Sequence, residues 1–118
     1  MPAGCLYAPQ AFIDKNPATV QAVANAIVRA DKWIQAAGPA DIIKAVPESY
    51  LLGDRAVYID AFLASKGALS PDGLFPAEGA ATALRALQSV DDTLKGGKFD
   101  LGAVWTNDFA RRANAKKA

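Results

Sequence analysis

Apolar residues recur every three or four positions across residues 18–37, and this spacing constrains the fold more than any other feature. It draws one apolar stripe along about five turns of an α-helix. Asn16 suits the N-cap, where its side chain accepts hydrogen bonds from unpaired amides, and Pro17 suits the first helical position. Gly38 and Pro39 follow the stripe and predict the end of the helix. The stripe consists of Val20, Val23, Ala24, Ile27, Ala30, Ile34 and Ala37.

Alanine makes the rest of the chain favour helices as well. It occupies 26 of the 118 positions, and it loses no side-chain entropy when a helix forms. Residues 5–8 form a short apolar segment that fits either a strand or an extended lead-in. We therefore predict one all-α domain over residues 1–118, with four or five helices and at most one short N-terminal strand.

Proline and glycine mark the ends of two further helices. A short helix begins at Pro39 and ends near Ala45, because Pro47 forces the residue before it out of the helical region. Asp54 caps a third helix. We expect this third helix to end at Gly67, since glycine is the usual residue just beyond a helix end.

The second half of the chain is predicted to hold a turn and two helices. Residues 69–73 read LSPDG, in which proline fixes one dihedral angle and glycine tolerates a positive φ. Pro76 opens a helix that runs to Leu94 and ends at residues 96–97. Thr106 caps the last helix. The expected buried stripe of the helix after Pro76 is Ala80, Leu84, Leu87, Val90 and Leu94.

Charge and residue types exclude several classes of function. The 13 Lys and Arg residues nearly balance 12 Asp and Glu residues, so the net charge of +1 creates no field that would attract nucleic acid. With no His and only Cys5, the chain cannot build a Ser-His-Asp triad, a Cys-His dyad or a metal site rich in these residues. We therefore expect no enzyme activity, no catalytic residue, no cofactor, no metal site and no nucleic-acid partner.

The acidic residues do not form a pair suited to acid–base chemistry. Asp91 and Asp92 are adjacent in sequence, and neighbours on a helix point in different directions. Both are expected on a solvated face. The other acids considered as candidates are placed by the pattern at caps and turns: Asp54, Asp60, Asp72 and Glu78.

The aromatic residues leave two interpretations open. Aromatic rings with polar tips are common in small-molecule clefts, but at helical spacing they more often belong to the core, which we favour here. The residues concerned are Trp33, Trp105, Tyr7, Tyr50 and Tyr58.

The C-terminus carries a cluster of positive charges. A contact with nucleic acid or a membrane surface is one interpretation, but four charges without interleaved aromatic residues favour a solvated helix end. Their sign also suits the end of a helix. The cluster is Arg111, Arg112, Lys116 and Lys117.

The chain is also unusually apolar for its size. Hydrophobic residues make up 52% of it and the mean hydropathy is +0.08, so part of the apolar surface is expected to face a partner. No apolar run reaches the length needed to cross a bilayer. The small residues before Cys5 look like a lipoprotein cleavage site, but no basic and apolar segments precede them. From these features alone we expect a cytoplasmic chain.

Five short segments occur in an order and spacing typical of one protein family. They are residues 6–8 (LYA), 12–17 (FIDKNP), 70–74 (SPDGL) followed by Pro76, 98–101 (KFDL) and 105–109 (WTNDF). Together they resemble the C-terminal part of the periplasmic substrate-binding proteins of the nitrate/sulfonate/taurine class of ABC importers. The resemblance extends through most of the chain.

This resemblance implies a fold and a role that the composition does not. Members of the family have two α/β lobes of the type II periplasmic binding fold and hold a small solute between them. The resemblance implies a truncated or separately encoded C-terminal part, with the N-terminal lobe and an ABC permease as partners and the periplasm as location. It assigns no ligand-binding residue here. The related thiamine-pyrimidine synthases depend on histidine, which argues against that branch.

A second hypothesis is a small helical module with no transport role that binds itself or a partner. On either hypothesis the apolar helix faces are expected to be exposed and to form a homo-oligomer. The sequence does not identify the ligand.

Overall fold

The chain folds into helices joined by short turns in the computed structural model, which describes residues 4–51 and 53–115. The predicted all-α class is confirmed. Residues 5–8 have no regular secondary structure, and the described part contains no strand. The α-helices in that part are α1 (Gln10–Lys15), α2 (Pro17–Ala36), α3 (Pro39–Ala45), α4 (Arg55–Ser65), α5 (Ala77–Val90) and α6 (Asp108–Ala115). Short 3-10 turns lie at Glu48–Tyr50, Lys66–Ala68, Asp92–Leu94 and Leu101–Ala103.

Helix α1 was not predicted, and it changes the role of Asn16. This residue stands between α1 and α2, and Pro17 is the first residue of α2 as expected. The Asn16 side chain does not cap α2. Its Nδ2 donates at 3.1 Å to the Phe12 carbonyl, which also accepts from the Asn16 backbone amide at 2.9 Å at the end of α1. The predicted position was correct and the predicted hydrogen bond was wrong.

The predicted start of α4 is confirmed, and its predicted end is wrong. Asp54 Oδ1 accepts from the amides of Ala56 at 2.9 Å and Val57 at 3.1 Å. At the other end, α4 stops at Ser65 and the chain continues into the 3-10 turn that contains Gly67. Gly67 does not adopt a positive φ, so it does not act as a glycine cap.

Helix α5 ends four residues earlier than predicted. It stops at Val90 because the Asp91 side chain accepts from the Thr93 amide at 2.9 Å and starts a separate 3-10 turn. Leu94 therefore lies outside the helix. Val90 is 83% exposed and Leu87 is also exposed, so the predicted burial is wrong at these two positions, whereas Ala80 is buried and Leu84 and Leu94 are half-buried.

The turn at residues 69–73 forms as predicted. Gly73 has a φ of 71°, and its amide donates to Ser70 Oγ at 2.8 Å. The Asp72 carboxylate accepts from the Leu74 amide at 3.0 Å. These bonds are typical of turns built from Ser, Asp and Gly.

Helix α6 lies against α2 and is fixed by side-chain hydrogen bonds to the backbone. Gln21 Nε2 donates to the Phe109 carbonyl at 2.9 Å, and Asn114 Nδ2 donates to the Asp72 carbonyl at 2.8 Å. Thr106 Oγ1 accepts from the Asp108 amide at 3.2 Å, but α6 begins at Asp108 and the Asn107 carbonyl accepts from the Arg111 amide, so Asn107 stands at the N-cap and the predicted cap lies one residue too early. The expected Lys116 and Lys117 lie outside the described residues.

The buried core is small for a chain of this length. One cluster joins Ala37, Ile42 and Ile59, with Tyr58 and Phe62 packed against it. The buried hydrophobic residues outside this cluster are Ala24, Val28, Leu51, Ala80 and Ala113. No helix in residues 4–51 and 53–115 combines the length and the apolar character that crossing a membrane requires.

The overall dimensions show how much surface remains uncovered. The radius of gyration is 17.5 Å and the accessible surface is 8712 Å². A compact domain of this size has a radius of about 13.5 Å and exposes about 6,100 Å². The chain therefore exposes roughly 2,600 Å² more than a compact domain would.

Candidate interaction surface

Most of the predicted apolar stripe of α2 lies away from the buried side of the helix, and Ala24 is the stripe residue within α2 that is buried. The buried side carries Ala24 and Val28, and Val28 is only 3% exposed. On the stripe, Val23 is 40% and Ile27 is 47% exposed. Helix α6 lies beside the stripe rather than on it, because Gln21, which donates to the Phe109 carbonyl of α6, is on the buried side of α2. The sequence pattern did not single out Val28.

We define the α2 seam as Val20, Val23, Ile27, Ala30 and Ile34. These residues follow one another at spacings of three and four, and each is exposed or half-buried. A helix rises 1.5 Å per residue, so the seam is about 21 Å long. It is a straight apolar strip on the longest helix of the described residues.

The seam continues into an apolar groove at the N-terminal end of α2. The groove has a volume of about 210 Å³ and shares Val20 and Val23 with the seam. Tyr7, 89% exposed, stands at its edge with Leu6. We define the N-terminal groove as Leu6, Tyr7, Ala8, Phe12, Ile13, Thr19, Val20 and Val23. Seam and groove together form one continuous apolar surface.

A second depression of about 210 Å³ lies on α4, where it is lined by Tyr58, Ala61, Phe62 and Ser65. It borders the small core cluster rather than the α2 seam. Its lining contains no carboxylate and no amine.

The adjacent acids are held apart by separate local bonds. Asp91 accepts hydrogen bonds from the Thr93 amide and hydroxyl, and these bonds lower the pKa of the Asp91 carboxyl. Asp92 forms an ion pair with Lys95 at 2.5 Å. Both acids lie on an exposed turn, as the solvated-face interpretation predicted. The other candidates are Asp54 at its cap, Asp72 in its turn, Asp60 exposed on α4 and Glu78 in the first turn of α5.

The structure brings together one acidic pair that the sequence did not reveal. Asp31 lies on α2 facing the turn that contains Asp72. Burial raises the pKa of the Asp31 carboxyl, and the charge of Asp72 raises it further. In residues 4–51 and 53–115 no group of three Asp, Glu, His or Cys side chains is placed to hold a metal ion.

The aromatic residues divide between surface and core. Tyr7, Tyr50 and Trp33 are exposed, so the core interpretation is wrong for them. Tyr58 packs against the buried cluster, and Trp105 packs against Phe75 with 5.4 Å between ring centroids. The five rings do not line one common cleft.

The described basic residues of α6 are engaged within the chain. Arg111 lies 3.6 Å from the carboxylate of Asp108, and Arg112 Nε donates to Gln21 Oε1 at 2.7 Å. The Arg112 guanidinium also lies 4.6 Å from the centre of the Phe109 ring. Arg112 thus helps to hold α6 against α2.

Asn107 is a structural residue that sequence analysis missed. It is 8% exposed, its Oδ1 accepts from the Phe75 amide at 2.8 Å, and its Nδ2 donates to the Phe75 carbonyl at 3.0 Å. The side chain thus ties the segment before α5 to the start of α6. A polar residue just before a helix was the available signal, but it pointed to a cap rather than to this distant partner.

Comparison with known proteins finds one informative relative. No family model matches the chain, and no curated protein matches it. A solved structure of a protein from Bordetella bronchiseptica RB50 is similar, with 60% sequence identity and a TM-score of 0.87. The match covers 97% of this chain and 36% of that protein. The chain therefore spans about a third of the length of this longer relative and shares the fold of that segment.

Proposed function

We propose that this chain is the C-terminal part of a solute-binding protein of an ABC importer, of the class that captures nitrate, sulfonates or taurine. In this role it forms part of the body that holds the solute, and it catalyses no reaction. Its partners are the N-terminal lobe of such a protein and, through the assembled protein, a permease that is reached from the periplasm.

One observation carries the proposal. A helical segment with a large uncovered apolar surface matches about a third of a longer protein at 60% identity and with a TM-score of 0.87. The same fold therefore occurs within a chain that has additional polypeptide available to cover such a surface. The transport role itself comes from the resemblance of the five short segments to the importer family.

The positions of those segments support a structural role for them. The turn at residues 70–74 and the two hydrogen bonds between Asn107 and Phe75 both involve residues of the five segments that resemble the importer family. They set the path of the chain between α2, α5 and α6. This is the role expected of a supporting part whose ligand contacts come mainly from elsewhere in the protein.

A graft tests the proposal. The segment of the Bordetella protein that matches this chain is replaced by this chain, and the melting temperature is measured with nitrate, taurine and methanesulfonate. A ligand that binds the folded state alone raises the melting temperature. We expect a rise with at least one of these solutes and none with chloride. A folded graft that responds to none of them contradicts the proposal.

The open α2 seam also favours the second hypothesis, a self-associating helical module. Exposed apolar surface of this extent promotes association, and a net charge of +1 opposes it little. We expect the isolated chain to self-associate in light scattering over a dilution series. A discrete dimer combined with an unresponsive graft would favour the module, whereas a monomer at every concentration would exclude it.

A further inference from the structure

We infer that the α2 seam is the docking site for a helix from the part of the longer protein that lies outside the match. This inference rests on one part of the proposed function, namely that the chain acts within a longer protein. The N-terminal groove extends the same site beyond the start of α2.

The spacing of the seam indicates the secondary structure of its partner. Val20, Val23, Ile27, Ala30 and Ile34 alternate steps of three and four residues, as the a and d positions of a heptad do. Such a strip accepts the side chains of a second helix that crosses at about 20° and lies about 8–10 Å away. The small side chain of Ala30 permits a close approach of the two backbones. The groove, which has a volume of about 210 Å³, accommodates the end of the same helix or the loop that follows it.

The lack of charge on this part of α2 indicates a permanent contact. Residues 16–28 contain no charged side chain, and the nearest charges that follow are Arg29, Asp31 and Lys32. Interfaces that form once and persist are more apolar than those that form and separate. A partner that belongs to the same folded protein meets this condition.

The chain as a whole exposes more surface than one standard interface requires. Its surface in excess of a compact domain is roughly 2,600 Å², against about 800 Å² on each partner of a standard interface, and the seam and groove contribute exposed apolar side chains to it, among them Tyr7, Val23 and Ile27. The relative from Bordetella retains the fold of this segment within a chain of which the match covers 36%. Additional polypeptide is therefore present in that protein, and we assign it, rather than a second copy, to the seam.

Thiol labelling of the graft tests this assignment. Cys5 is first replaced by Ser, and single cysteines are then introduced as Ala30→Cys on the seam and Lys32→Cys as the control. Two residues along a helix rotate by about 200°, so the control lies on the opposite face of α2. Both positions are exposed in the structure of the chain alone. Labelling rates are measured in the native graft and in urea, while light scattering reports its mass.

The assignment predicts a monomeric graft in which the Ala30→Cys thiol reacts at least roughly tenfold more slowly than in urea, while the Lys32→Cys thiol stays close to its unfolded rate. Equal native rates at the two positions overturn it. Protection that disappears on dilution, together with a dimeric mass, shows that a second copy covers the seam and also overturns it. If the graft does not fold, the same pair of substitutions at the aligned positions of the Bordetella protein gives the same readout.

The two proposals fail in different ways. If the thiol of the Ala30→Cys graft is protected but no solute raises the melting temperature, the docking site is supported and the importer function is refuted. If a solute raises the melting temperature but the thiol at position 30 is not protected, the importer function is supported and the docking site is refuted.

Discussion

Replacing Asn107 by Ala should destabilise the chain, because this side chain holds two distant segments together. Its amide makes two hydrogen bonds with Phe75, at 2.8 and 3.0 Å, from a position that is 8% exposed. A hydrogen bond contributes about 0.5–1.5 kcal/mol to stability, so the loss of both costs about 2 kcal/mol. The Phe75 amide and carbonyl are then left without this partner in a half-buried position.

Urea unfolding followed by circular dichroism measures this effect. With a slope of about 1–3 kcal/mol per M, a loss of about 2 kcal/mol lowers the midpoint by about 1 M. Asn25→Ala is the matched control, because Asn25 accepts a single bond from Gln21 within one helix. We expect the control to change stability by less than about 0.5 kcal/mol.

Asn107→Asp separates the hydrogen bonds from the packing. Aspartate keeps the acceptor for the Phe75 amide but places an oxygen against the Phe75 carbonyl. Its folded-state pKa should be raised, so this variant should regain stability as the pH falls and the carboxyl becomes a donor. If the free energy of unfolding of Asn107→Ala lies within about 0.5 kcal/mol of that of the unchanged chain, the two bonds to Phe75 do not hold these segments together.

Three further predictions concern the turns, the caps and pH. Gly73→Ala should lower the free energy of unfolding by at least about 2 kcal/mol, because φ is 71° and the new Cβ would lie 2.9 Å from the buried Val28 side chain. Gly53→Ala is the control, since Gly53 has a φ of 77° but open space around it, and it should lower the free energy of unfolding by about 1 kcal/mol. Equal urea midpoints for the two variants would contradict the close approach of Gly73 to Val28. Asp54→Ala removes both bonds that cap α4 and should cost about 1 kcal/mol by the same assay, with an unchanged midpoint as the contrary result. The raised pKa of Asp31 means that its ionised form destabilises the fold, so stability falls as the pH rises from the ordinary carboxyl range through the raised value. Asp31→Asn should therefore stabilise the chain at pH 7 and lose this advantage in acid, and a stabilisation that does not change with pH would contradict the assignment.

The starts of three helices were among the features best predicted from the sequence. Pro17, Pro39 and Asp54 mark starts that the structure confirms, because proline and a capping carboxylate act on neighbouring residues. The errors arose where a second local interaction competed. Asp91 started its own turn and ended α5 early, and Asn16 bonded to the previous helix rather than to the next one.

The packing faces were not predictable in the same way. Periodicity identified the stripe on α2, but the side that docks against α6 depends on a bond between Gln21 and Phe109, which are 88 positions apart in sequence. The surplus of apolar residues correctly suggested an uncovered surface. Exposed apolar side chains occur along the chain, and those of the α2 seam could be recognised only once α6 was seen beside them. The bonds between Asn107 and Phe75 join residues 32 positions apart, so the local sequence pattern did not reveal them.

The labelling rate of a cysteine at position 30 in the graft tests most directly whether this chain is part of a larger body. We expect a rate that is well below the unfolded rate and independent of protein concentration, in a graft that remains monomeric. A native rate as fast as that of the cysteine at position 32 would show that the seam stays open within the longer protein and that no helix of that protein covers it.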